Sequence, residues 1–209
     1  GPTAETTITA TTPQLGGDLV QEIIVSSVQA ASIDTGNGDV IVNVRSTLAT
    51  TPLSIATGTG QNIVNVGALS LDGVAGNVTV LKSLFGGSVA LTIDDRLGDP
   101  QTSYRDFQIP LLVATVGVFS PTLPGRNVGQ IRFLVDSVAI NQAAPIQPLL
   151  PRGTVIVQAS TTNTTINTDG PNSTIRFDRN GPLTAPVAIN DPDGPATAQF
   201  NLGTVTSNL

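Results

Sequence analysis

Residues 107–119 read FQIPLLVATVGVF, the longest nearly unbroken apolar run in the chain, and they carry only uncharged side chains. On a strand, Leu111, Val113, Thr115, Gly117 and Phe119 share one face. Leu112, Ala114, Val116 and Val118 share the other. Both faces are apolar, which is the pattern of a strand covered on both sides at the centre of a packed β core. A helix is the rival reading of such a run. The valines, threonine and glycine positions and the proline argue against it. Pro110 has no N–H, so ladder pairing is expected to begin after it.

The flanking sequence repeats the β pattern in shorter pieces. Val40, Val42 and Val44 alternate with Ile41, Asn43 and Arg45, and Val89, Leu91 and Ile93 alternate with Ser88, Ala90, Thr92 and Asp94. Each set shares one face, and Val89, Leu91 and Ile93 are expected to face in. Residues 28–33 and 40–44 read as the two arms of a hairpin around Asp34-Thr-Gly-Asn-Gly-Asp39. Residues 78–81 and 89–93 read as a second pair of arms with Gly86-Gly87 between them. Residues 130–140 read as one returning strand. The whole gives about 10–12 short strands at the spacing of an all-β sandwich or jelly roll. A parallel β-solenoid is the alternative, because GDVIVNV, GNVTVL and GGSVALTI resemble one another. Their irregular spacing, and the failure of residues 107–152 to continue them, favour the sandwich. Residues 1–17 read as an extended N-terminal arm ending at a Gly16-Gly17 hinge, and residues 18–209 as one β-sandwich domain.

At 209 residues the chain can bury a large core. Only 11% of residues are charged and 3% are aromatic, while Thr, Ser, Asn and Gly supply the polarity. The net charge is −6 and the nine basic residues are scattered, which speaks against nucleic acid as a partner. No apolar run reaches the roughly 18 residues of a membrane span, so no membrane insertion is expected. The chain begins at Gly1-Pro2 with neither an initiator methionine nor a signal peptide, as in a processed secreted protein or one carrying a tag scar. The charge-poor, lysine-poor composition points to an extracellular location.

Cys, His, Met and Trp are all missing. That removes the commonest general base, the strongest nucleophile and the thiol and imidazole ligands of zinc. An enzyme is therefore not expected, and no cofactor unless calcium. Calcium would take hard oxygen ligands from three loops: Asp34, Asn37 and Asp39; Asp94, Asp95 and Asp99; Asp191 and Asp193. The competing explanation is that Asp and Asn occupy these positions because they form turns. Asn77, Asn163 and Asn172 head glycosylation triplets, which would make this a glycoprotein. Lys82, the sole lysine, reads as a charged guard on an edge strand. Its sharper alternative is a Lys–Asn isopeptide crosslink assisted by Glu22.

The termini carry the functional expectation. Ala4, Thr6, Ile8, Ala10 and Thr12 alternate in the arm, and Ala198, Phe200 and Leu202 alternate near the other end. Either segment suits strand addition to a neighbouring subunit's sheet. Repeated head to tail, that contact builds an open fibre. The arrangement is similar in outline to extracellular fibre subunits held by donor-strand exchange, as in pilins. The expected function is a structural subunit of an extracellular filament, tube or surface layer, whose partners are copies of itself. A calcium-dependent adhesive or glycan-binding module is the first alternative, and a viral jelly-roll capsid or decoration protein the second.

Overall fold

The computed structural model describes residues 6–12, 19–25, 29–99, 102–110, 115–142, 154–158, 162–168, 174–178, 184–190 and 197–201. Every regular element among them is a strand, so the all-β expectation holds. In chain order the strands are β1 (Thr6–Thr12), β2 (Leu19–Val25), β3 (Ala31–Asp34), β4 (Val40–Ser46), β5 (Leu53–Ala56), β6 (Gln61–Val66), β7 (Val78–Leu81), β8 (Ser88–Asp94) and β9 (Ser103–Pro110). They continue as β10 (Thr115–Thr122), β11 (Ile131–Leu134), β12 (Ser137–Asn141), β13 (Thr154–Val157), β14 (Asn163–Asn167), β15 (Thr174–Asp178), β16 (Val187–Asn190) and β17 (Thr197–Asn201). No helix among the described residues is long and apolar enough to cross a membrane.

The strands form two sheets, ordered β16-β14-β12-β8-β6-β4-β1-β2 and β17-β15-β13-β9-β10-β11-β7-β5-β3. The sheets are largely parallel. Among the described residues antiparallel pairing is confined to β1 with β2 and β4, and to β10 with β9 and β11. A sandwich or jelly roll built of antiparallel hairpins is not what these ladders carry. From β3 to β8 the chain passes from one sheet to the other at every step, and it does so again from β11 to β17. Each strand lies parallel on the one laid down a circuit earlier, except that β13 lies on β9, because β9 and β10 are inserted beside β11.

The expected hairpins change accordingly. The arms around residues 34–39 are β3 and β4, which lie in different sheets, as do β7 and β8 around Gly86-Gly87. Residues 130–140 are two strands, β11 and β12, again one per sheet. A Gly-rich turn reverses the chain equally well within a sheet or between sheets. What selects the second course is stacking of turn on turn. Gly58 N donates to Thr35 Oγ1 at 3.0 Å, and Gln61 N donates to Asp39 Oδ1 at 2.7 Å, from one circuit to the one before.

At Gly58 and Gly60 the stacked turns leave no room for a side chain. A Cβ on Gly58 would sit 1.2 Å from the Gly36 carbonyl oxygen, and one on Gly60 2.3 Å from that of Gly38. Backbone, unlike a flexible side chain, cannot swing away. Gly58→Ala is expected to lower stability by about 3 kcal/mol, at the upper end of overpacking effects. Its denaturant midpoint, read against that of the parent, checks this.

Residues 107–119 do not form one strand. β9 runs to Pro110 and pairs antiparallel with β10 from Thr115, so the run folds back on itself. Pairing ends at Pro110 instead of beginning after it, since a residue without an N–H suits a strand end. Leu111, Leu112, Val113 and Ala114 lie outside the described residues. The two-sided burial holds where it can be seen: Val118 and Phe119, on opposite faces of β10, are both fully buried.

Between the sheets lies one continuous hydrophobic core, mainly aliphatic, with Tyr104, Phe119, Phe133 and Phe177 among its members. Strand alternation directs every second residue into it, as in β4, where Val40, Val42 and Val44 are buried. The parallel register then lines like residues up across strands. Val44, Val66, Ile93, Ile140, Ile166 and Ile189 form one such column, which passes through Ile8 to Ile23 at the other edge. On the outer face Asn190 donates to Asn167, and Asn167 to Asn141, side chain to side chain at 2.9 and 2.7 Å.

Candidate functional site

The first sheet has β2 and β16 at its two edges, and the second has β3 and β17. Among the described residues these four strands pair on one side only. The N-terminal arm is not an edge. β1, which carries Thr6, Ile8, Ala10 and Thr12, is paired on both sides, to β2 and to β4 of its own chain. The expectation of a free donor arm there is corrected. β1 and β2 fold back as a pair and extend the first sheet, satisfying both ladder edges of β1 internally. β17, which carries Ala198 and Phe200, does sit at an edge. Ala4 and Leu202 lie outside the described residues.

Burial follows the same division. The inward residues of interior strands are buried, whereas Ala31 and Ile33 of β3 and Val187 and Ile189 of β16 pack on the core only partly buried. The core is thus incompletely covered at both ends of the stack.

The loop carboxylates are engaged within the fold. Asp34 Oδ1 accepts from Gly36 N at 2.9 Å, Asn37 Oδ1 accepts from Thr59 Oγ1, and Asp39 from Gln61 N. Asp94, expected to face out, is buried and takes a two-point contact from Arg96. Among the described residues no group of three or more Asp or Glu gathers as a metal cluster. Asp191 and Asp193 lie outside those residues. Asp99 lines a shallow groove with Asp72 and Arg126.

A charge network, buried at Arg126 and Asp95 and exposed at Asp72, joins three loops here, and sequence reasoning missed it. Arg126 Nη1 and Nη2 each donate to Asp95 at 2.6 Å, and its Nε donates to Asp72 at 2.6 Å. Nη1 also reaches Thr102 Oγ1. Asp95 accepts further from Tyr104 Oη at 2.7 Å and from Leu71 N at 2.8 Å. The Arg126 side chain is 7% exposed and that of Asp95 1%. Burial disfavours the Arg126 charge, but the hydrogen bonds and charges of Asp95 and Asp72 outweigh it and raise the guanidinium's pKa. At Asp72 burial likewise opposes ionisation, and the bonds from Arg126 and Ser70 overcome it, lowering its pKa. With every member bonded, the cluster has the form of a structural pin.

Asp106 is different. It occupies an inward position of β9, between Phe119 and Val157 in register, and is 3% exposed. Desolvation alone pushes its carboxyl up to about 7. The available signal was the alternation Thr102, Tyr104, Asp106, all three buried.

Lys82 pairs with Asp136, which also accepts from Val89 N at 2.8 Å. Both side chains are partly exposed, which fits a surface ion pair. At Asp136 burial opposes ionisation, and the Lys82 and Val89 donors prevail, lowering its pKa. Asn77 is exposed and accepts from Gln130 N, Asn163 is exposed at the start of β14, and Asn172 lies outside the described residues. A groove of about 430 Å³ crosses the outer face of the first sheet over Asp39, Ile41, Ile63, Ala90 and Asp136. Its carboxylates are the ones already bonded to Gln61 and to Lys82 and Val89. No protein-family model, no curated protein and no solved structure matches this chain.

Proposed function

We propose that this chain is a parallel β-solenoid serving as a structural subunit of an extracellular filament, tube or surface layer made of its own copies. The observation that carries this reading is the pair of stack ends, where single-sided strands and half-covered aliphatic side chains coincide. Exposed strand edges are templates for pairing with another chain. The charge-poor composition without His or Cys supports the same reading, because it offers little to a catalytic site. The calcium-dependent module is the weaker reading, since the carboxylates of the Asp34 loop already hold turns and neighbouring circuits together.

Sedimentation across a concentration series, followed by negative-stain microscopy, tests the proposal. Growth into unbranched fibres or sheets is the expected result. A single species of about 21.3 kDa at every concentration contradicts it.

A further inference from the structure

We infer that copies join end to end by continuing the first sheet from one copy into the next, β16 pairing in parallel with β2 of the next copy and bringing β17 up against its β3. The inference rests on the self-assembly reading above and specifies its contact surface.

Strand direction is the first argument. In the first sheet β4, β6, β8, β12, β14 and β16 run the same way. Two antiparallel steps through β1 return β2 to that direction. In the second sheet two antiparallel steps through β10 leave β3 and β17 alike in direction. A copy translated along the stack, without inversion, therefore presents a parallel partner to both edges. Such a contact is heterologous and does not close.

Register is the second argument. The column ending at Ile189 begins, at the opposite edge, with Ile23. End-to-end contact continues it with an aliphatic residue and buries the half-covered Val187, Ile189, Ala31 and Ile33. The ends are also stepped, the first sheet holding eight strands and the second nine. The first sheet carries β1 and β2 beyond β4 at one end, and the second carries β17 as its last strand at the other.

The register supplies the test. Glu22, Thr9, Asn43, Asn65, Thr92, Ala139, Thr165 and Ala188 occupy one column, so Glu22 and Ala188 end it at opposite edges. Across seven strand spacings they lie about 34 Å apart within one copy, far beyond the ~7 Å Cα reach of a disulfide. The chain has no cysteine of its own. Mild oxidation of the full chain carrying Glu22→Cys and Ala188→Cys is expected to give a reducible ladder of dimers, trimers and longer products. A second pair, Ser32→Cys with Asn201→Cys, reports on the other sheet and guards against a folding defect in the first.

If wild-type fibres form and neither pair crosslinks, the end-to-end contact is wrong and the self-assembly reading stands. Dimers from Ala188→Cys alone would mean like edges meeting about a two-fold axis, and would also overturn it. If the wild-type chain never associates, the functional reading itself fails.

Discussion

At pH 8, Asp106→Asn is expected to stabilise the fold relative to its parent, and at pH 4 to leave it nearly unchanged. The carboxyl is raised to about 7 by burial, against an ordinary value near 3.8. Below pH ~4 the folded and unfolded chains both hold the proton, and the group contributes nothing to pH dependence. Between about 4 and 7 the unfolded chain ionises while the folded chain keeps its proton, so stability falls as pH rises. Above 7 the full penalty is present. Three units at about 1.36 kcal/mol each set its size at roughly 4 kcal/mol. The buried amide replacing it is neutral at every pH and carries its own desolvation cost of about 1–3 kcal/mol. The pH-dependent part of the difference is therefore the quantity to read, from paired denaturant titrations at pH 4, 6 and 8. Parallel titration curves for parent and variant would contradict it.

Arg126→Ala is expected to lower stability by about 3–5 kcal/mol, the usual consequence of removing one partner from a buried ion pair. Asp95 would keep the Tyr104 and Leu71 donors but lose its charge partner while 1% exposed. Arg126→Lys should recover only part of the loss. An ammonium cannot make the forked contact to Asp95 and reach Asp72 as well. Denaturant midpoints of the three proteins at neutral pH and moderate salt measure this. A loss below about 1 kcal/mol would place the network among exposed ion pairs of little consequence.

The β class, the turns and most inward faces were legible because they depend on local alternation. Val40, Val42 and Val44, then Val89, Leu91 and Ile93, all point where their spacing sends them. The path of the chain between sheets was not legible. A period of two is the same whether the next strand returns beside its neighbour or crosses to the opposite sheet. The circuits recur at 22, 26 and 23 residues, as the Asn43–Asn65, Asn141–Asn167 and Asn167–Asn190 contacts record. The β9–β10 pair stretches one circuit to 47 residues, from Val89 to Asp136, and breaks the rhythm. Of the two terminal segments, β17 lies at a sheet edge, whereas β1 is paired on both sides. Nothing in TTITATT distinguishes a strand that pairs at home from one that pairs elsewhere. The Asp95–Arg126 network links residues 31 apart through loops, which local patterns do not register.

Fibre diffraction from oriented assemblies tests the end-to-end account most directly. Strands stacked along the fibre place the 4.7–4.9 Å spacing between neighbours on the meridian. A strong meridional reflection there, unbroken across subunit junctions, is the predicted result. The same spacing on the equator would mean that copies meet side by side, and would contradict the account.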